Sequence, residues 1–341
     1  MAPLTTLHVG GPARYLAEVA SEDDIREALD FAHAKAAPLF VLGGGSNLLV
    51  ADSGWPGLVL KIAVGGIAHH VHDRGAVVFD AGAGVEWDEV VALAVANNCA
   101  GVECLSGIPG SVGGTPVQNV GAYGQEVSDT IESVQAFDLL ERRTVVLSRE
   151  GCGFRYRSSI FNSTARGRYI ILRVVYRLTQ GGAPSLKYAD LQKHFAGAER
   201  PPSLSEVRDA VRQIRQSKGM LIVAGDPDSR SAGSFFKNPV LSAGEFRELT
   251  SRAASKGLEI PSYPALDAQH KVSAAWLVEH SGFSKGFTLG AAGISRKHAL
   301  ALINTGNACA ADIVRLKENI QRGVQDAWGV MLEPEPVSVG F

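Results

Sequence analysis

Two periodicities alternate along the chain and divide it into helices and strands. Apolar Ile25, Ala28, Leu29 and Ala32 fall on one helical face behind a Ser21 to Asp24 capping-box pattern, so a helix is predicted over residues 22–35. Pro38 then stops it. The apolar run 39–42 leads straight into glycines, the pattern of a buried strand feeding a loop. Further strands are predicted near 58–62, 77–81, 131–138 and 143–147, with a helix over 87–97. Ile170, Leu172, Val174, Tyr176 and Leu178 recur at a period of two and predict one long strand over 169–178.

Proline-containing polar stretches at 181–185 and 198–203 come next, before a helix opened by Ser205 with Val207, Ala210, Val211 and Ile214 on its apolar face. A domain boundary is predicted near residue 218. Beyond it the pattern predicts a helix after Ser242 with Glu245 as its capping partner, a helix over 273–280, a strand over 299–304 and an amphipathic helix over 312–328. The sum is an α+β sheet domain followed by a smaller α/β domain over 219–325, without any fixed-period repeat.

Composition adds one anomaly. The 38 glycines in 341 residues stand well above the average of about 7%, and many lie in three clusters: GGGSN at 43–47, GIPGSVGG at 107–114 and NVGAYG at 119–124. Glycine clusters mark tight turns or close approach of backbone to a ligand. GGGSN alone also suits a plain turn, and it matches neither the dinucleotide fingerprint nor the P-loop. A nest of backbone N–H groups around a pyrophosphate is physically reasonable there. Residues 105–126 decide for a ligand, because glycines and small hydroxylated residues over such a length make a poor core and suit backbone wrapped around an elongated cofactor.

Charge and cysteine usage narrow the partners. Lys plus Arg at 33 against Asp plus Glu at 35 gives a net charge of −2, so no global field draws nucleic acid or an anionic membrane, and an anionic ligand must be met by local cations. The opening MAPLTTLHVGG resembles no signal peptide, and no apolar run reaches the roughly 18 residues of a membrane span, so a cytoplasmic location without membrane insertion is expected. Cys99, Cys104, Cys152 and Cys309 lack metal-site or CxxC spacing, so reduced thiols and no metal are expected.

GGGSN together with 105–126 resembles the FAD-binding half of the UDP-N-acetylenolpyruvoylglucosamine reductase (MurB) family, within the vanillyl-alcohol-oxidase-like (PCMH-type) flavoprotein superfamily. Three further segments are similar to that family's motifs: YRSSIF at 156–161, GSFFKNP at 233–239 and LEPE at 332–335, which nominate Arg157, Ser234 and Glu335 as catalytic. The resemblance covers nearly the whole chain. It implies an FAD-binding fold in two subdomains, 1–65 with 326–341 and 66–218, plus a substrate domain over 219–325. It also implies noncovalent FAD held by Gly43, Gly44, Gly45, Ser46, Asn47, Leu48, Pro109, Gly110, Ser111, Gly113, Gly114, Asn119, Gly121 and Ala122. For the substrate it implies contacts from Tyr123, Tyr188, Arg215, Lys218, Asn238, Tyr263, Lys285 and His298, with Tyr188 closing over bound ligand. The implied activity is NADPH-dependent reduction of UDP-N-acetylglucosamine enolpyruvate in peptidoglycan precursor synthesis, by a monomer.

The residue types suit that chemistry. Hydride addition to an enolpyruvyl ether leaves negative charge beside a carboxylate, which calls for a permanent cation such as Arg157 and a proton donor such as Ser234. Two departures from the family stand out: Val337 occupies a position that is commonly arginine, and His298 one that is commonly glutamine. Two other readings stay open at this level. One is a flavin oxidase of the same superfamily, with His69, His70 and His72 near a covalent flavin rather than as a solvated cluster at a strand end; the other is a nucleotide-binding module without turnover.

Overall fold

The computed structural model describes residues 1–72, 75–265 and 268–341. Contacts divide the chain into two compact units, one of Ala13–Gly45 with Trp55–Ser217 and one of Met1–Pro12, Ser46–Gly54 and Lys218–Phe341. We call them the large unit and the C-terminal unit.

In the large unit a parallel three-stranded sheet places Trp55–Ile62 between Ala13–Val19 and Leu39–Leu42. Helix α1 (Glu22–Ala34) follows the first strand and buries Ile25, Ala28 and Ala32. Its capping box is formed as the sequence predicts: Asp24 N donates to Ser21 Oγ at 3.1 Å and Ser21 N to Asp24 Oδ2 at 2.9 Å. The strand Ala13–Val19 escaped the sequence reading. Leu16, 55% exposed, lies on the outward face with Arg14 and Glu18, which erases the alternation that marks a half-buried strand.

A second, antiparallel sheet runs in the order Arg143–Ser148, Ile131–Asp138, Tyr169–Gln180, Ala76–Gly82, Ile67–Val71. Tyr169–Gln180 lies inside it, and Ile170, Leu172, Val174, Tyr176 and Leu178 are buried as the period of two requires. They share a core with Phe79, Phe137 and the residues Trp87, Val90 and Val91 of α2 (Trp87–Ala96). His69 and His70 lie along the edge strand Ile67–Val71 rather than at its end, both exposed, with the His69 ring stacked on Phe79 at 5.2 Å. Polar groups on an outermost strand discourage pairing with another chain.

Helices α3 (Ala189–His194) and α4 (Leu204–Ser217) complete this unit. Leu191 of α3 and Val207, Ala210 and Val211 of α4 pack with Cys104 and Tyr123. α4 starts at Leu204 because Ser203, not Ser205, supplies the cap: Glu206 N donates to Ser203 Oγ at 3.2 Å and Ser203 N to Glu206 Oε2 at 2.8 Å.

The C-terminal unit combines α5 (Ala243–Ala254), α6 (Ala274–Glu279) and α7 (Ala310–Trp328) with small antiparallel sheets. One sheet there joins Val240–Leu241, His270–Val272 and Ser262–Pro264, and another joins Thr288–Leu289, Ala292–Ile294 and Leu302–Asn304, all antiparallel. The strand predicted over 299–304 shrinks to Leu302–Asn304, because Ala301 N turns back to His298 O at 3.2 Å. Helix α7 begins two residues before its predicted start. The Asp52 carboxylate accepts Ala310 N at 2.7 Å and Ala311 N at 3.0 Å, a negative charge on otherwise orphaned N-terminal amides.

Residues 326–341 share the C-terminal unit with Met1–Pro12 and Ser46–Gly54. Val337–Val339 pairs in parallel with Leu48–Val50, and that short strand lies in the same unit.

The buried face of α7 is Ile313, Leu316, Ile320, Val324 and Trp328, each at most 2% exposed. Leu316→Ala is expected to cost about 2–5 kcal/mol, from lost transfer free energy and the cavity left behind. Urea unfolding checks it: the midpoint should fall at an unchanged slope, and a loss below about 1 kcal/mol would contradict this packing.

Candidate active site

The glycine segments of the large unit meet backbone to backbone. A Cβ on Gly44 would stand 2.6 Å from Gly110 Cα and from Ser111 N, so only glycine allows the approach. Gly44 N donates to Ser111 Oγ at 3.1 Å. The loop past Pro109 is stitched to the turn before α2: Trp87 N donates to Gly110 O, Val112 N to Val85 O and Gly113 N to Ala83 O, at 2.9–3.0 Å. Buried side chains hold the segment from behind. Trp87 Nε1 donates to Leu105 O at 3.1 Å, Thr115 Oγ1 and the Tyr176 hydroxyl lie 2.7 Å apart, and Ser159 Oγ donates to Val117 O at 2.6 Å.

The face left over is bare backbone. Among the described residues no atom lies within 4 Å of where a Gly114 Cβ would stand, and the amides of Gly45 and Ser46 donate to no protein acceptor. Residues 43–48 and 105–122 contain no charged side chain. Successive unpaired N–H groups without bulk or competing carboxylates fit a dinucleotide pyrophosphate.

Beyond this cradle, Gly121–Ala122 pairs with Gln125–Glu126 around Tyr123 and Gly124, both at positive φ (51° and 83°). Two such residues make the tight two-residue hairpin whose twist matches its strands. Glycine takes that conformation freely, whereas a tyrosine there is strained, a cost found mainly at functional sites. The Tyr123 ring meets Tyr188 edge-on at 5.2 Å, and its hydroxyl hydrogen-bonds to Arg215. Arg215 is buried in the large unit, with Nε donating to Gly107 O at 3.0 Å. Burial lowers its pKa, against the opposing pull of Tyr123 and Asp88.

Arg157 sits at φ +54° in the turn 155–158, closed by Arg155 N to Ser158 O and Ser158 N to Arg155 O. Its Nη2 donates to Gly121 O at 2.7 Å and its guanidinium lies 5.3 Å from the Tyr156 ring centre, so the fork is aimed by the hairpin carrying Tyr123. Asn119, also at positive φ, is a hub between these turns. Its Nδ2 donates to Glu126 Oε2 at 2.8 Å and Arg155 O at 3.1 Å, and its Oδ1 accepts Ser128 N.

In the C-terminal unit a short backbone ladder joins the segment that carries Ser234 to the one that carries Glu335. Glu335 N donates to Phe235 O at 2.8 Å and Lys237 N to Glu333 O at 2.9 Å, while Phe235 N donates to Leu300 O at 2.7 Å. Asn47 brackets the glutamate: its Nδ2 donates to Glu335 O at 3.3 Å and its carbonyl accepts Val337 N at 2.9 Å. Main-chain pairing therefore fixes the backbone at Glu335 on both sides. His298 Nδ1 accepts Leu300 N at 3.0 Å, so the neutral ring carries its proton on Nε2.

Asn238 Oδ1 accepts Ala274 N at 2.9 Å and caps α6. Lys218 opens the long segment of this unit, next to Gly219 at φ +66°. Tyr263, 58% exposed, and Lys285, also exposed, have no hydrogen bond to Ser234 or Glu335 among the described residues.

Several supporting residues have no sequence motif. Asp88 on α2 accepts Gly107 N at 2.6 Å and both Nη atoms of Arg208 at 2.7 and 2.9 Å, with Arg212 Nη1 at 2.6 Å. Together with Arg215 it clamps both polar groups of Gly107. Asp228, fully buried, accepts Arg296 N and the Arg296 guanidinium, fixing the turn before His298. A single acid within the otherwise uncharged 99–105 stretch was the one visible sign of Glu103.

An FAD-binding domain model matches residues 13–143, most of which lie in the large unit. A model described as the C-terminal domain of UDP-N-acetylenolpyruvoylglucosamine reductase matches residues 226–339. Curated relatives of that name are 46% identical in Thermobifida fusca, covering 100% of this chain and 96% of the relative, and 42% identical in Streptomyces coelicolor, covering 100% and 89%. The crystal structure of the Thermus caldophilus reductase (MurB) is 27% identical, covers 99% of this chain and 96% of that one, and superimposes with a TM-score of 0.65. The chain belongs to the UDP-N-acetylenolpyruvoylglucosamine reductase family. FAD is its cofactor and the FAD-binding α+β fold its architecture, as the sequence led one to expect.

Two outcomes follow from this geometry. Overpacking of about 1–3 kcal/mol at Gly44→Ala, at tenfold per 1.4 kcal/mol, should weaken FAD binding by about one to two orders of magnitude. The ratio of flavin to protein absorbance in the purified variant reads it, and full flavin content would contradict the close approach. The second concerns acid. Burial raises the Asp88 pKa, but the Arg208 hydrogen bond, the Gly107 N–H and the charges of Arg208 and Arg212 outweigh it and hold the carboxyl below its ordinary value. Its stabilisation is complete above the unfolded value of about 3.9 and is lost as pH falls through the lower folded value. Asp88→Asn should therefore flatten the dependence of stability on pH below about 4, measured by urea midpoints; an unchanged slope would contradict it.

Proposed function

We propose that the protein is an NADPH-dependent flavoenzyme of the cytoplasm, working as a monomer, that reduces UDP-N-acetylglucosamine enolpyruvate to UDP-N-acetylmuramate for peptidoglycan synthesis. The observation that carries the reading is the backbone ladder that joins the Ser234 segment to the Glu335 segment, in a chain similar over its whole length to reductases of that name. The two sheets of the large unit are read as the FAD-binding subdomains, and residues 219–325 as the substrate domain.

Bound FAD supplies hydride-transfer chemistry. Hydride arriving at the β-carbon of the enolpyruvyl ether pushes negative charge onto the α-carbon and the adjoining carboxylate. Arg157 is permanently protonated and its fork matches a carboxylate, so it offsets that charge where it develops. The Ser234 hydroxyl donates its proton to the α-carbon. Glu335, as the protonated acid or through water, gives the hydrogen bond that steadies the enol oxygen.

Local groups meet the diphosphate of a chain whose net charge is −2. Lys218 and Lys285 supply cations, and Asn238 Nδ2 and His298 Nε2–H supply neutral donors. An imidazole locked with its proton on Nε2 offers a donor, as a glutamine amide does, which accounts for His298 at that position. Tyr263 contacts the uridine, Tyr188 covers the ligand with Tyr123 beneath it, and Arg215 acts through Tyr123.

Stopped-flow absorbance tests the assignment of the proton donor. Ser234→Ala should still bleach with NADPH, yet its flavin should be reoxidised by the enolpyruvyl substrate about 10²–10⁴-fold more slowly, the usual worth of a positioned acid. Near-normal reoxidation would remove Ser234 from that role.

A further inference from the structure

The large unit buries an acid that the proposed chemistry does not use. Glu103, in the turn Glu103–Leu105, is fully buried, and no cation is paired with it among the described residues. Its carboxylate is met instead by three neutral donors at 2.8 Å: Gly101 N on Oε2, and Gln125 Nε2 and Ser185 N on Oε1. The next residue repeats the grip. Cys104 N donates to Gln125 Oε1 at 2.8 Å, and its thiol donates to Ser185 O at 3.3 Å. Burial, aided by the Glu103 charge, pushes the Cys104 pKa well up, so the thiol stays a donor.

These bonds converge on two segments that carry aromatic rings. Gln125 closes the hairpin turn of Tyr123 and Gly124, and Ser185 lies three residues before Tyr188. Between the strand Tyr169–Gln180 and helix α3 the chain has no helix or strand of its own, so residues 181–188 depend on such anchors for their course. The two segments touch directly: a Cβ on Gly124 would stand 3.0 Å from Lys187 Cβ, and the Tyr123 and Tyr188 rings cross at 83°. An ionised carboxylate is costly to bury, and removing one acceptor from a fully satisfied set leaves an N–H orphaned.

We propose that Glu103 is a positioning residue that ties the Tyr123 turn and the Tyr188 segment to one point, so that the two rings stay paired as Tyr188 closes over the sugar nucleotide. This rests on the substrate reading given above. Glu103→Gln is the informative change, because it puts an NH2 group into a pocket whose three partners are all donors.

Calorimetry on the FAD-loaded protein with UDP-N-acetylmuramate as probe gives the test. Glu103→Gln and Tyr188→Ala should each weaken binding by about tenfold, and the double variant by clearly less than the product of the two, since both act on one contact. In turnover the loss should fall on KM more than on kcat. Gln125→Met, which removes the one side-chain donor and leaves Glu103 in place, should show the same coupling to Tyr188→Ala and carries the test if Glu103→Gln does not fold with FAD. Effects that multiply would overturn the positioning role. A wild-type protein that does not bind UDP-N-acetylmuramate would overturn the substrate reading instead.

Discussion

Close approach of backbone to backbone is the constraint on which the site depends. Gly44 can lie against Gly110 and Ser111 only without a Cβ, and among the described residues the neighbouring Gly45 and Ser46 amides have no protein partner. A cofactor pyrophosphate needs such donors and no side chains in its way. The remaining features of the large unit serve to keep a glycine-rich loop, with little side-chain packing of its own, in one conformation. Trp87, Asp88, Tyr176, Ser159 and Arg215 each bond to it, from α2, a strand of the antiparallel sheet, the loop after Arg157 and α4.

Polar side chains therefore do in this fold what apolar packing does elsewhere. Glycine offers no surface to bury, so its place is set by hydrogen bonds whose partners are themselves buried and satisfied. The left-handed residues Asn119, Tyr123 and Arg157 lie within the same network. Their strained conformations persist because surrounding bonds over-determine them, which orients the Arg157 fork and the Tyr123 ring before any ligand arrives. In the C-terminal unit the equivalent role falls to main-chain pairing, which brackets the backbone of Glu335 between Phe235 and Asn47.

Residues that act through local pattern were legible in the chain. The capping box at Ser21, the strand over 131–138, the period of two through Tyr176 and the glycine segments all rest on neighbours a few positions away. The strand Ala13–Val19 was not, because Leu16 points outward where a polar residue would have revealed it. Nor could spacing disclose Asp88, Glu103 or Asp228, whose partners lie 19, 22 and 68 positions away as well as nearby. Separate motifs nominate Ser234 and Glu335; the pairing of their two segments belongs to the ladder, which only the fold reveals.

The central claim is that this flavin passes reducing equivalents from NADPH to an enolpyruvyl sugar nucleotide. It is tested most directly by the absorbance near the flavin maximum of the purified protein, without oxygen, on adding NADPH and then UDP-N-acetylglucosamine enolpyruvate. The account predicts full bleaching with the first addition and full recovery with the second, with one equivalent of UDP-N-acetylmuramate formed per flavin. A flavin that bleaches but is reoxidised only when oxygen is admitted would contradict it.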